Sequence, residues 1–261
     1  MPTALRFTGI VLLAASVAAS VVAAADPPYA GRWKLNVAKS DFGQLTATYE
    51  AAPGGFKATM DGVSYTFTVD GKETATPWGT TTSWKAVNAT TWEATNKTAG
   101  KLFSTDSIKL SADGKTMTVD SKMTQAAGGT ADSSMTFTRV SGGPGLAGTW
   151  KAAKMSSSAP GLVDISVKGI NGIVFKFVDQ GATCDGAFDG KPHPATGSLW
   201  PAGWTCTFSK AGANGFSVVF DKDGKPMYSS TFTTSADGKT LTENGGAVST
   251  KEKVKAVYDK Q

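Results

Sequence analysis

Short runs in which apolar and polar residues alternate cover most of the chain after position 33, for example Ser64 to Val69 and Ile173 to Val178. A period of two residues places alternate side chains on opposite faces of a β-strand. Turn signals such as Asp61-Gly62 and Asn171-Gly172 separate the runs and supply the positive φ angles of tight hairpins. The pattern predicts an all-β chain of antiparallel strands, with at most one or two helical turns at Val37 to Gly43.

The same sequence pattern occurs twice along the chain. Gly31-Arg32-Trp33-Lys34 returns as Gly148-Thr149-Trp150-Lys151, and Ser111 to Thr118 is nearly copied by Ser235 to Thr242. Internal similarity in a constant register indicates a tandem duplication. Between the copies lies a stretch rich in Gly and Pro that cannot continue a central strand. We predict one β-barrel domain at residues 26–140, a linker at 141–146 and a second β-barrel domain at 147–261.

The first 25 residues are typical of a signal peptide. Arg6 precedes an apolar run from Phe7 to Val22, and small residues follow at Ala23-Ala24-Ala25. A retained membrane anchor is the alternative, because the run is almost long enough to span a bilayer. Cleavage would leave no membrane span and would place the protein in the periplasm or outside the cell. In such a compartment, Cys184 and Cys206 are expected to form a disulfide.

Charge and motif content argue against several function classes. The formal net charge is +5, but the Lys residues are scattered among acids, so a nucleic-acid groove is not expected. The chain has one His, His193, in a Pro-containing loop, and it lacks the Gly-x-Ser-x-Gly and zinc-binding motifs. Most acids stand at hairpin tips, where turn propensity explains them. We expect no catalytic residues, no metal site, no cofactor and no enzymatic activity.

Two β-rich units that open with Gly-x-Trp and close with a strand carrying a basic residue resemble the lipocalin and calycin barrels. The segments Gly31 to Gly43, Asp113 to Val119 and Val257 to Gln261 are similar to exported bacterial lipocalin-like proteins of unassigned function. The resemblance implies two tandem antiparallel lipocalin-like β-barrels. It also implies that Trp33 fills a barrel end beneath Arg139, and that Trp150 does so beneath Lys253 or Lys255.

The remaining aromatic residues are the candidates for a ligand site. These are Trp78, Trp84, Trp92, Trp200 and Trp204. Positions near a barrel mouth suit a mostly apolar pocket, although the same residues could simply fill a narrow core. The sequence therefore favours an exported protein that binds a small hydrophobic or amphipathic ligand. The alternative is a structural or protein-interaction module of the cell envelope with filled barrels. The pattern leaves open whether the two sheets close separately or share strands.

Overall fold

The structure, a computed structural model, describes residues 26–43, 45–250 and 253–261, so the predicted signal peptide lies outside the described residues. In this part of the chain, β-strands alternate with turns, and the one helical element is a single 3-10 turn, Val37–Lys39. The side chain of Asn36 caps this turn by accepting a hydrogen bond from the Lys39 amide at 3.1 Å. The all-β prediction is confirmed.

The strands, in chain order, are β1 (Gly31–Leu35), β2 (Thr46–Ala52), β3 (Gly55–Met60), β4 (Val63–Thr68), β5 (Asp70–Ala75), β6 (Thr80–Asn88), β7 (Thr91–Thr98), β8 (Lys101–Leu110), β9 (Thr116–Thr124), β10 (Thr130–Ser141), β11 (Gly148–Ser157), β12 (Leu162–Lys168), β13 (Gly172–Phe177), β14 (Ala182–Ala187), β15 (Pro192–Thr196), β16 (Trp204–Lys210), β17 (Gly215–Lys222), β18 (Lys225–Thr234), β19 (Thr240–Ala247) and β20 (Val254–Lys260).

These strands form two antiparallel sheets of ten strands each. One is a closed barrel in the order β1-β12-β13-β14-β15-β16-β17-β18-β19-β20, in which β20 pairs back onto β1. The other, which we call the open sheet, has the order β4-β3-β2-β11-β10-β9-β8-β7-β6-β5. The two ends of the open sheet, β4 and β5, approach each other. Val69 connects these two strands, and its carbonyl accepts a hydrogen bond from the Ala86 amide of β6 at 3.1 Å.

Each half of the sequence contributes its first strand to the sheet of the other half. Strand β1 pairs with β12 and β20, and β11 pairs with β2 and β10. The two sheets are therefore not the two consecutive halves of the chain, 26–140 and 147–261. The Gly- and Pro-rich residues 141–146 begin at the last residue of β10 and continue into the loop that joins β10 to β11 within the open sheet. The chain instead passes between the sheets in the segments that join β1 to β2 and β11 to β12.

The two repeated tryptophans have matching environments despite this exchange. Trp33 and Trp150 are both fully buried. Each indole N–H donates at 2.9 Å to the carbonyl four residues earlier, that of Tyr29 or Leu146. The preceding glycines, Gly31 and Gly148, have φ values of +133° and +142°, a region that disfavours any residue with a Cβ. The repeat is therefore preserved in local geometry as well as in sequence.

The cation over each indole differs from the one expected. The guanidinium of Arg139 lies 4.0 Å from the ring centroid of Trp150, and the ammonium of Lys260 lies 5.1 Å from that of Trp33. The prediction that Arg139 covers Trp33 is wrong, and so is the prediction that Lys253 or Lys255 covers Trp150. Strand exchange is the reason, because β10 lies beside β11 and β20 lies beside β1.

Arg139 also holds the loop between β10 and β11. Its guanidinium donates to the carbonyl oxygens of Gly114, Gly143, Gly145 and Ala147 at 2.6–2.8 Å. Three of these acceptors belong to the loop between β10 and β11, and the Gly114 carbonyl belongs to the turn between β8 and β9, so the guanidinium ties the two together.

Arg139→Met should therefore lower the free energy of unfolding by about 2 kcal/mol, since it removes several charge-assisted hydrogen bonds together with the cation over Trp150. Lys260→Met, the matched change over Trp33, should cost less than about 1 kcal/mol. Urea denaturation of both variants measures the difference. Equal losses would contradict the role assigned to the guanidinium.

The closed barrel has a solid aromatic core. Phe175, Phe208, Phe216 and Phe232 are fully buried, and the rings of Phe216 and Phe232 stack with their centroids 5.0 Å apart. The predicted disulfide is confirmed: Cys184 on β14 and Cys206 on β16 are bonded, with their Cα atoms 6.3 Å apart. No helix within the described ranges is long and apolar enough to cross a membrane.

Candidate functional site

A cavity of about 460 Å³ lies where the closed barrel meets loops of the open sheet. Aromatic side chains form much of its wall: Trp78, Phe103, Phe177, Trp200, Trp204, Phe220 and Tyr228. Both sheets contribute, because Trp78 lies between β5 and β6 and Phe103 lies on β8, whereas the other five belong to the closed barrel and its loops. The rings of Trp200 and Phe220 stack at 5.2 Å, and those of Trp204 and Tyr228 stack at 6.2 Å.

The five tryptophans named as candidates are divided among three places. Trp78, Trp200 and Trp204 converge on this cavity. Trp84 lines a separate cavity of about 320 Å³ inside the open sheet. Trp92 is buried in the core of the open sheet, with its ring 6.3 Å from that of Phe56. The structure therefore brings together three of the five and leaves Trp84 and Trp92 elsewhere.

A chain of hydrogen bonds connects the two sheets beside the cavity. The indole N–H of Trp78 donates to the hydroxyl oxygen of Tyr228 at 2.9 Å, and that hydroxyl donates to Asp61 Oδ2 at 2.8 Å. The indole N–H of Trp204 donates to the Trp78 carbonyl at 2.9 Å. Burial raises the pKa of Tyr228, and the charge of Asp61 raises it further, so the phenol stays protonated and remains a donor.

Tyr228→Phe should lower the free energy of unfolding by about 1–2 kcal/mol, because it deprives the Trp78 indole of its acceptor and Asp61 of a donor. Chemical denaturation measures the loss. Asp61→Asn, which replaces the carboxylate that accepts from Tyr228 by a neutral acceptor, should cost less. If the free energy of unfolding of Tyr228→Phe lies within about 0.5 kcal/mol of that of the unmodified protein, these hydrogen bonds do not hold the sheets together.

Besides Asp61, the carboxyl group of Glu243 lines the cavity. Glu243 shares one face of β19 with residues 241, 245 and 247, all three of which are buried. Ser230 Oγ donates to Glu243 Oε1 at 2.7 Å, and the Tyr258 hydroxyl donates to Oε2 at 2.9 Å. Burial raises the pKa of Glu243, although both hydroxyls favour its ionised form. The site thus combines apolar ring surface with a carboxyl acceptor.

Four residues of the site were not predicted from the sequence: Asp61, Tyr228, Ser230 and Glu243. Asp61 was interpreted as a turn residue only, and it does occupy a turn with φ of +53°. Glu243 had a readable signal, because it falls in the apolar phase of the alternation Leu241, Glu243, Gly245, Ala247. An acid at an inward position of a strand is expensive to bury and is therefore a candidate for function.

The arrangement offers binding chemistry, through ring faces, the carboxyl groups of Asp61 and Glu243 and the Tyr228 hydroxyl. His193 is not part of the cavity wall, and its Nε2 lies 3.0 Å from Asp189 Oδ1. Within the described ranges, no three His, Cys, Asp or Glu side chains are placed to hold a metal ion.

Comparisons of the chain with protein-family models, with curated proteins and with solved structures give no match.

Proposed function

We propose that this chain is an exported binding protein that holds a small amphipathic ligand in the cavity between the closed barrel and the open sheet. The observation that carries the proposal is the convergence of Trp78, Trp200 and Trp204 on one cavity of about 460 Å³. Small-molecule sites are concave, mostly apolar and of a few hundred Å³, with a small number of polar groups that orient the ligand. The cavity has this size and this lining.

The contrast with the interior of the closed barrel supports the same location. Phe175, Phe216 and Phe232 are fully buried and in ring contact, so they fill that part of the core. Narrow barrels fill their interiors with side chains in this way. Space for a ligand is found where barrel residues such as Glu243 and Ala247 meet loops of the open sheet.

The lipocalin-like relationship and the export of the protein are parts of the same proposal. Two barrel-like sheets, each with a buried indole under a cation, support the first. The Cys184–Cys206 disulfide supports the second, because disulfides persist mainly in oxidising compartments such as the periplasm and the extracellular space.

Fluorescence titration with a panel of apolar and amphipathic probes tests the proposal. We expect a saturable change in tryptophan emission for at least one probe. Ala247→Phe adds a ring to the cavity wall and should abolish that change, whereas Ala86→Phe on an exposed part of β6 should leave it intact. Absence of saturation with every probe, or equal binding by the Ala247→Phe variant, would contradict the proposal.

A structural or protein-interaction module of the cell envelope is the second candidate. The solid core of the closed barrel favours it, since such a core gives rigidity without needing a ligand. Under this function the protein would be recovered from an envelope extract with a stoichiometric partner, and Ala247→Phe would not affect that recovery.

A further inference from the structure

From the lining of the cavity, we infer that the ligand is an amphipathic organic cation, with a positively charged nitrogen near Glu243 and an apolar body among the aromatic rings. The inference rests on the proposed function and names the chemical class of its ligand.

Glu243 supplies the anionic partner. The side chain is largely buried from bulk solvent, but it lines the cavity, so a molecule held there meets the carboxylate. The hydroxyls of Ser230 and Tyr258 each donate to one of its two oxygens. A carboxylate oxygen can accept more than one hydrogen bond, so both oxygens keep acceptor capacity for a ligand. The two hydroxyls also fix the position of the carboxylate before any ligand arrives.

The aromatic rings supply the second attraction. The stacked pairs Trp200–Phe220 and Trp204–Tyr228 both line the cavity. The faces of aromatic rings carry partial negative charge, and tryptophan is the strongest of them as a partner for ammonium groups. Organic ammonium ions are bound in proteins by such clusters of rings, and a carboxylate beside the cluster adds Coulomb attraction.

The same lining disfavours an anionic ligand. Among the described residues that form the wall, no Lys, Arg or His is present, whereas Asp61 and Glu243 are. The side chain of Lys222, which passes beside Gly79 and Gly203, is already paired with Asp223. A ligand carboxylate would lose water and meet Glu243 without a compensating charge, which is costly in a partly buried site. A fatty acid is therefore expected to bind more weakly than a cationic amphiphile. A neutral amphiphile should have an affinity between those of the cation and the fatty acid.

A matched series of probes tests the charge preference: octyltrimethylammonium, octanol and octanoate, each titrated into the full chain below its micellar concentration and followed by tryptophan fluorescence. We expect the ammonium compound to bind about tenfold more tightly than octanol, equivalent to about 1.4 kcal/mol, and octanoate to bind more weakly than octanol. This ranking needs no variant, so it does not depend on any substitution folding correctly.

Glu243→Gln should then reduce the preference for the cation over octanol by about tenfold and leave the affinity for octanol within about twofold. Glu50→Gln, on the exposed side of β2, is the control and should change neither. Octanoate binding as tightly as the ammonium compound would overturn the inference, and so would an unchanged preference in Glu243→Gln. If octanol binds with no preference for the cation, only the inference fails. If none of the three binds, the proposed function fails and the inference with it.

Discussion

Trp33→Ala should lower the free energy of unfolding by about 3–5 kcal/mol, and Trp150→Ala should do the same. Both indoles are fully buried, donate a hydrogen bond to a nearby carbonyl and lie beneath a cation. Truncation leaves a cavity that the surrounding sheet cannot fill and removes the donor for a buried acceptor. Urea denaturation of each variant gives the loss.

Val87→Ala provides the comparison. Val87 is 52% exposed, so its truncation should change the free energy of unfolding by no more than about 0.5 kcal/mol. A loss of less than about 1 kcal/mol in either tryptophan variant would contradict the role of that indole in the core. A large loss in one variant and not in the other would contradict the equivalence of the two repeats.

Removing the disulfide by Cys184→Ala together with Cys206→Ala should cost about 3 kcal/mol. The bond closes a loop with a sequence separation of 22, and cross-linking the chain over that length restricts the unfolded state by about this amount. It also joins β14 to β16 across β15, a strand of only five residues. Thermal melting with and without a reductant measures the effect.

The double variant is the control for other effects of the reductant. It has no disulfide, so its melting temperature should be the same with and without the reductant. The unmodified protein should melt at a lower temperature once reduced, close to that of the variant. Identical melting of the oxidised and reduced protein would show that the bond contributes nothing to stability.

The local features of the fold were predictable from the sequence because they depend on neighbouring residues. Alternation predicted strands, Gly-containing dipeptides predicted turns, and the two Gly-x-Trp-Lys segments predicted equivalent sites. The turns at Ser111 to Thr116 and Ser235 to Thr240 have the same hydrogen bonds. In the first, the Ser111 hydroxyl donates to Asp113 at 2.7 Å, and in the second the Ser235 hydroxyl donates to Asp237 at 2.6 Å. Similar sequence gave similar geometry at this scale.

The exchange of β1 and β11 was not predictable, because the two strands begin with nearly the same residues. Each strand presents a glycine and a tryptophan at equivalent positions. Local interactions therefore do not distinguish a strand paired within its own half of the chain from one paired with the other half. The choice depends on how the chain crosses between the sheets after β1 and after β11, which is a long-range property. A Gly- and Pro-rich stretch likewise marks a break in a strand without saying whether a hairpin or a domain boundary follows.

The position of each tryptophan relative to its strand explains which of them reach the cavity. Trp84 and Trp92 lie within β6 and β7 at buried positions, so they pack into the core of their own sheet. Trp78 and Trp200 lie in loops, and Trp204 is the first residue of β16. Positions in a loop or at the end of a strand can extend to a neighbouring sheet, whereas Trp84 and Trp92 face the core of their own sheet. Residue type alone does not carry this distinction.

The seven tryptophans of the chain permit a direct test of where a ligand binds. In a ¹⁵N spectrum of the indole N–H groups, assigned by single Trp→Phe substitutions, a saturating apolar or amphipathic probe should shift the signals of Trp78, Trp200 and Trp204. The signals of Trp33, Trp92 and Trp150, which lie in the two packed cores, should stay in place. Shifts confined to those core tryptophans, or no shift with any probe, would contradict a ligand site between the closed barrel and the open sheet.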